Sequence, residues 1–163
     1  MAFTHGLFFL LCTISALMTG VSSIRKPPKI DNNCPKGWTR LDCHCYIYEE
    51  NPRLFADAEA VCNILGGNLV SIESALENAF VHEMFRAGRA SENALWIGLH
   101  DAIENQTFLW MDGTDFDFIN WDASDPDTSA GDCVTMVESD GEWEVASCSD
   151  SNPYICITDV STH

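Results

Sequence analysis

Seven cysteines, Cys34, Cys43, Cys45, Cys62, Cys133, Cys148 and Cys156, constrain this chain more than any other feature. An eighth, Cys12, lies in an apolar N-terminal run and goes with it. A zinc site is a poor use for the seven, because His44, His82, His100 and His163 are scattered along the chain. Oxidised cystines suit them better, and they imply an oxidising compartment. Seven is odd, so at least one cysteine stays a thiol or bridges to another chain, and counting alone does not fix the pairing.

The N-terminus fits that compartment. Residues 1–23 start without Lys or Arg, continue in an apolar run from Leu7 to Met18, and offer small residues at Val21 and Ser23. This is the pattern of a secretory signal cleaved near Ser23, which predicts a secreted, extracellular product. The alternative, an uncleaved anchor, is disfavoured because the run is short for a membrane span. Arg25, Lys26 and Lys29 also follow it, the wrong arrangement for a cytoplasmic N-terminus. The remaining residues, 24–163, suffice for one domain with its own core.

Charge narrows the partners. Against 25 Asp and Glu the chain has eight Lys and Arg, a formal net charge of −17, and no Lys or Arg follows Arg89. Residues 101–150 hold fourteen carboxylates without a Lys or Arg among them. Such a field repels nucleic acid and anionic membranes and attracts cations or basic partners. The segment from Asp125 to Cys156 sets Asp125, Asp127, Asp132, Glu142 and Glu144 between cysteines and around Pro126. Oxygens of this kind bind hard cations when they converge, since Ca2+ takes six to eight of them.

The element order reads as α+β. Residues 25–33, with Pro27-Pro28, form a flexible lead, and Trp38 to Tyr48 alternates like a strand pair. Leu54, Ala58, Val61, Cys62 and Leu65 fall at helical spacing before Gly66-Gly67, which predicts a first helix over about residues 54–65. Ser74-Ala75-Leu76-Glu77 is a capping box, and it predicts a second helix to about Arg86, with Leu76, Phe80 and Met84 on one face and Gly88 as its stop. Short strands follow at 96–99, 108–110, 134–137, 142–146 and 154–157, separated by long loops.

These residues carry a resemblance. Cys34-Pro35-Lys36-Gly37-Trp38, Cys45-Tyr46, Ala58-Glu59-Ala60-Val61-Cys62, Gly66-Gly67-Asn68-Leu69-Val70-Ser71-Ile72, Trp96-Ile97-Gly98-Leu99 and Cys133…Trp143…Cys148…Cys156 occur in the order and spacing of a C-type lectin-like domain. The chain is similar to that family over residues 34–157, and most of all to small secreted single-domain lectins of fish. The resemblance implies two helices packed on short antiparallel sheets, with a long irregular loop region and disulfide stabilisation. The lead is then 24–33, the domain 34–157 and the tail 158–163. It also implies three bridges, Cys34 to Cys45, Cys62 to Cys156 and Cys133 to Cys148. Cys43 is left over, as a buried or capped thiol or as an intermolecular cystine linking a homodimer. Non-reducing electrophoresis separates those two states.

The family's primary Ca2+ site implies a ligand set here. Its proline triplet falls on Asp125-Pro126-Asp127, with Asp132 and Glu144 as the neighbouring acids. Asp125, Asp127, Asp132 and Glu144 are thus the candidate metal residues, and Asp125, Asp127 and Glu144 the candidate carbohydrate residues, because in this family sugar hydroxyls complete the metal shell. Two ligand positions of the family pattern are empty, at Gly131 and Val145. Asp127 matches the galactose-type triplet at its third residue, whereas Asp125 matches neither usual type, and no aromatic in residues 128–131 could stack on a sugar. The resemblance further implies a cis bond before Pro126, the alternative being a trans turn proline.

Catalysis is not indicated. The pairs Asp115/Asp117 and Glu142/Glu144 are explained by strand alternation, and no nucleophile elbow is present. Trp38, Trp96, Trp110, Trp121 and Trp143 are expected to pack in the core, since the resemblance puts most of them on framework positions of the family, the alternative being a ligand-lining face. Asn105-Gln106-Thr107 is an N-glycosylation sequon. The leading expectation is a secreted carbohydrate-binding protein, Ca2+-dependent and active in innate defence, with glycans or glycoproteins as partners. The alternatives are a Ca2+-independent protein-binding module and, behind it, an ice-binding protein.

Overall fold

The computed structural model describes residues 34–88 and 93–161, so the expected signal and lead lie outside the described residues. Ten elements follow in order: β1 Thr39–Leu41, β2 His44–Arg53, α1 Phe55–Ile64, β3 Asn68–Leu69, α2 Ala75–Gly88, β4 Ala94–His100, β5 Leu109–Trp110, β6 Cys133–Val137, β7 Trp143–Ala146 and β8 Asn152–Asp159. The strands form one eight-stranded sheet in the order β1-β2-β8-β4-β6-β7, with β3 joined to β8 and β5 to β4. Its pairings are antiparallel except where β4 meets β8 at Trp96 and Tyr154, a parallel contact that the reading of short antiparallel sheets did not include. More than fifty residues separate these two strands, room enough for the crossover that a parallel pair requires. No helix among the described residues is long and apolar enough to cross a membrane.

Helix α1 follows its expected bounds closely. Phe55, Ala58, Glu59 and Cys62 turn inward, while Leu54 and Leu65 at its ends stay exposed. The buried Glu59 carboxylate accepts the Leu69 amide at 2.7 Å and the Asn63 side-chain amide, so it fixes β3 beside the helix. Burial pushes its pKa up, against the opposing pull of those hydrogen bonds. Gly66 ends the helix at φ +90°, a left-handed conformation that glycine adopts without strain.

Helix α2 departs from the reading of its face. The capping box forms, with the Ser74 hydroxyl accepting the Glu77 amide at 3.2 Å and the Glu77 carboxylate reaching back to the Glu73 amide at 2.7 Å. The helix continues through Gly88, past the expected end at Arg86. Its inward residues are Asn78, Val81 and Phe85, with Phe80 and Met84 flanking them and Leu76 left 61% exposed. The rotation has a polar cause. Asn78 is drawn inside because its side chain accepts the Trp143 indole N–H at 2.8 Å and donates to the Gly141 carbonyl at 3.1 Å.

All three implied bridges form, Cys34–Cys45, Cys62–Cys156 and Cys133–Cys148. Cys43 is half-buried at the β1–β2 turn, where its carbonyl accepts the Val160 amide at 2.8 Å. That bond and the length of β8 carry the sheet past residue 157, into what the sequence reading set apart as tail. One core cluster gathers around Trp143 with Tyr46, Ile72, Phe85, Ile97 and Trp110, and a second around Trp96 with Trp38, Phe55 and Tyr154. Trp38, Trp96, Trp110 and Trp143 are buried, and the half-buried Trp121 packs edge-on against Trp143 at 5.8 Å.

Candidate functional site

The acidic loop is built along the outer edge of β7, the last strand of the sheet. An edge strand leaves amides and carbonyls without ladder partners. Residues 120–125 supply them: the Trp143 amide donates to the Asn120 carbonyl at 2.9 Å, and the Trp143 carbonyl accepts the Asp122 amide at 3.0 Å. The Val145 amide then donates to Oδ1 of Asp125 at 3.0 Å. The Asn120 side chain adds a bond to the Gly141 carbonyl at 2.9 Å, tying the same segment to the β6–β7 turn.

Beyond this anchor the carboxylates shape the loop themselves. Oδ1 of Asp122 accepts the amide and hydroxyl of Ser124, and Oδ1 of Asp127 does the same with Ser129. Oδ1 of Asp125 also accepts the Asp127 amide, and Asp140 accepts the Glu142 amide at 3.0 Å. Each is an Asx turn, in which the side chain bonds the backbone two residues on. The Asp125–Pro126 bond is cis, as the resemblance implied.

The hydrogen bonds and mutual repulsion divide the titration. The Ser124 amide and hydroxyl hold Asp122 below the usual carboxylate range, and the Ser129 hydroxyl and amide do so for Asp127. The Glu142 amide and Ser139 hydroxyl act likewise on Asp140. Glu144 moves the other way, raised by burial first and then by Asp125, Asp122 and Asp140. Groups lowered on folding add stability above their unfolded pKa and lose it as the pH falls through the folded pKa. Glu144, being raised, favours the fold when protonated and loses that contribution as the pH rises through its folded pKa.

Of the four expected metal residues, Asp125 is half-buried and committed to two amides, while Asp127, Asp132 and Glu144 are exposed. They share a loop region without converging: among the described residues no group of three or more His, Cys, Asp or Glu side chains is placed to hold a metal ion. As placed, these four carboxylates do not assemble a calcium cage. Gly131 shows why the gap is structural, since a Cβ there would lie 2.2 Å from the Ala146 carbonyl oxygen and 2.7 Å from the Ser147 Cα. Val145, the other empty position, has its side chain buried in the core.

Asp122 and Asp140 also belong to this face, and Asn78 and Asn120 support it, four residues not expected there from the sequence. A signal for the first was present in Asp122-Ala123-Ser124 and Asp127-Thr128-Ser129, the Asx-turn spacing. The face itself is an open surface. A polar cavity of about 250 Å³ beside His44, Ser71 and Asp112 and an apolar one of about 480 Å³ beside Phe55, His100 and Met111 lie elsewhere.

Comparison with known proteins agrees with the fold. Residues 51–158 match the lectin C-type domain. Human lithostathine-1-beta is 30% identical over 162 residues, covering 96% of this chain and 98% of its own length. The galactose-specific lectin nattectin of Thalassophryne nattereri is 30% identical over 150 residues, 91% of each chain. Among solved structures, a calcium-independent type II antifreeze protein superposes with a TM-score of 0.71 at 28% identity, covering 78% of this chain and 95% of that one. The sheet order, the three bridges, the loop along β7 and the match over residues 51–158 together place this chain in the C-type lectin domain family.

Proposed function

We propose that this protein is a secreted glycan-recognition protein acting through the acidic face formed by the exposed Asp127 and Glu144 and the half-buried Asp125. The observation that carries the reading is the set of carboxylate oxygens there. Asp125 and Asp127 each spend one oxygen on the loop, and among the described residues their second oxygens and the Glu144 carboxylate take no hydrogen bond. Ionised carboxylates are pure acceptors, suited to the hydroxyl donors of a sugar. The galactose-specific name of nattectin supports a carbohydrate ligand. With no cation offsetting fourteen carboxylates in residues 101–150, the face selects neutral or amino sugars and disfavours sialylated and sulfated ones. A role in innate defence, through glycans or glycoproteins of microbes, is the biological setting this reading implies, and it calls for no catalytic step.

A glycan array probed with the mature protein tests this. The expected signal falls on neutral or amino sugars, with sialylated and sulfated glycans dark. Binding confined to sulfated glycans, or none at all, contradicts it. The antifreeze structure favours ice as a second reading, and thermal hysteresis without any array signal would select it.

Asn105 lies exposed in a turn where the Thr107 amide donates to the Glu104 carbonyl, so the sequon is open to modification. In a secreted product from eukaryotic cells, peptide-N-glycosidase is expected to remove one glycan's mass, and Asn105→Gln to abolish that shift. An unchanged mass on treatment contradicts modification at Asn105.

A further inference from the structure

From the same loop we infer that Asp125 is a positioning residue whose carboxylate is held by backbone amides in place of a bound cation: it clasps the 120–127 segment to the outer edge of β7 and holds Asp127 at the recognition face. The inference takes its recognition face from the proposed function, but the clasp itself is tested without any glycan.

Along β7 the partners alternate between backbone and side chain. The Trp143 amide and carbonyl pair with the backbone of Asn120 and Asp122, as a neighbouring strand would provide. At Val145 a side chain takes over, and Oδ1 of Asp125 accepts the amide as a backbone carbonyl of a neighbouring strand would. The same oxygen accepts the Asp127 amide, so both its lone pairs are engaged within the protein. A cation could use that oxygen only by displacing one of these amides.

The two empty ligand positions are closed by the same architecture. Gly131 lies against the end of β7, so an acid restored there meets the Ala146 carbonyl at its first carbon. Val145 presents its amide to Asp125 and its side chain to the core, where an Asn or Asp would bury a polar group. Amide donors thus supply the positive partner that a cation would otherwise offer.

The test compares thermal unfolding of wild type, Asp125→Asn, Asp125→Ala and Gly131→Glu, each in millimolar CaCl2 and in EDTA. Asparagine keeps the acceptor and drops the charge, so Asp125→Asn is expected to melt within about 2 °C of wild type, while Asp125→Ala falls by about 3–6 °C. Calcium is expected to move none of the four by more than about 1 °C, and Gly131→Glu to melt below wild type in both media. Hydrogen exchange at the Val145 amide reads the clasp directly, slow in wild type and Asp125→Asn and faster in Asp125→Ala. A calcium-dependent rise in melting temperature for wild type or Gly131→Glu overturns the inference, as does equal exchange at Val145 in all variants. A blank glycan array with these results intact would remove the proposed function and leave the clasp standing.

Discussion

Removing the Cys62–Cys156 bridge by the double substitution Cys62→Ala/Cys156→Ala is expected to lower the unfolding free energy by about 4–5 kcal/mol, the largest effect of any bridge. The bridge spans 94 positions, and the chain-entropy cost of a closed loop grows with its length. Removing Cys133–Cys148, which spans 15, is expected to cost about 3 kcal/mol on the same model. Position adds to length. Cys62 is on the inward face of α1, and Cys156 is the residue of β8 that pairs with both Ile47 of β2 and Leu69 of β3. Both sulfurs are fully buried among Phe55, Trp96 and Tyr154, so alanine also leaves a void. Urea unfolding of the two double variants measures the difference, and a smaller loss for the 62–156 pair than for the 133–148 pair contradicts the account.

The substitution Trp143→Ala is expected to cost about 3–5 kcal/mol. The side chain is 0% exposed and meets Trp110, Phe118 and Trp121 edge-on at 5.7, 5.7 and 5.8 Å. Its indole N–H satisfies the buried Asn78, whose oxygen would lose that partner. Trp143→Phe keeps most of the packing and drops only the hydrogen bond, so a loss of about 1–3 kcal/mol is expected. The consequence reaches the site, because the Trp143 backbone holds Asn120 and Asp122, the start of the acidic loop. Amide chemical shifts at Asp122, Asp125 and Asp127 should therefore move in Trp143→Ala and much less in Trp143→Phe. A melting curve for Trp143→Ala within about 2 °C of wild type contradicts this.

What was legible in the sequence follows from how local each determinant is. Helix α1 announces itself by spacing and by Gly66, and α2 by a capping box that closes within four residues. The bridges were legible through the family pattern, not through counting. The inward face of α2 was not, because Asn78 is polar and becomes an interior residue only when Trp143 and Gly141, more than sixty positions away, arrive to bond it. Strand β3 is two residues long and exists by pairing with β8. The parallel β4–β8 contact likewise has no local trace.

The acidic loop shows the same division. Its family position could be read from Pro126, the cysteines and Trp143, and so could the absence of acids at positions 131 and 145. What the carboxylates do was hidden, since an aspartate that ligates a metal and one that caps a turn are the same letter. The spacing to Ser124 and Ser129 hinted at turns, but the bond from Val145 to Asp125 spans twenty positions. Gly131 reads as a missing ligand in sequence and as a tight backbone contact in the fold.

The most direct test of the central claim, glycan recognition by the acidic face, is a titration of the best neutral or amino-sugar array hit in EDTA against wild type and Asp127→Ala. Asp127 is exposed and its Oδ1 holds the local Ser129 turn, so its loss should spare the core fold while removing an acceptor from the proposed face. The account predicts saturable binding by wild type in chelator and at least a tenfold weaker affinity for Asp127→Ala, or about 1.4 kcal/mol. Equal affinity for the two proteins, or wild-type binding that vanishes in EDTA and returns with calcium, would contradict it.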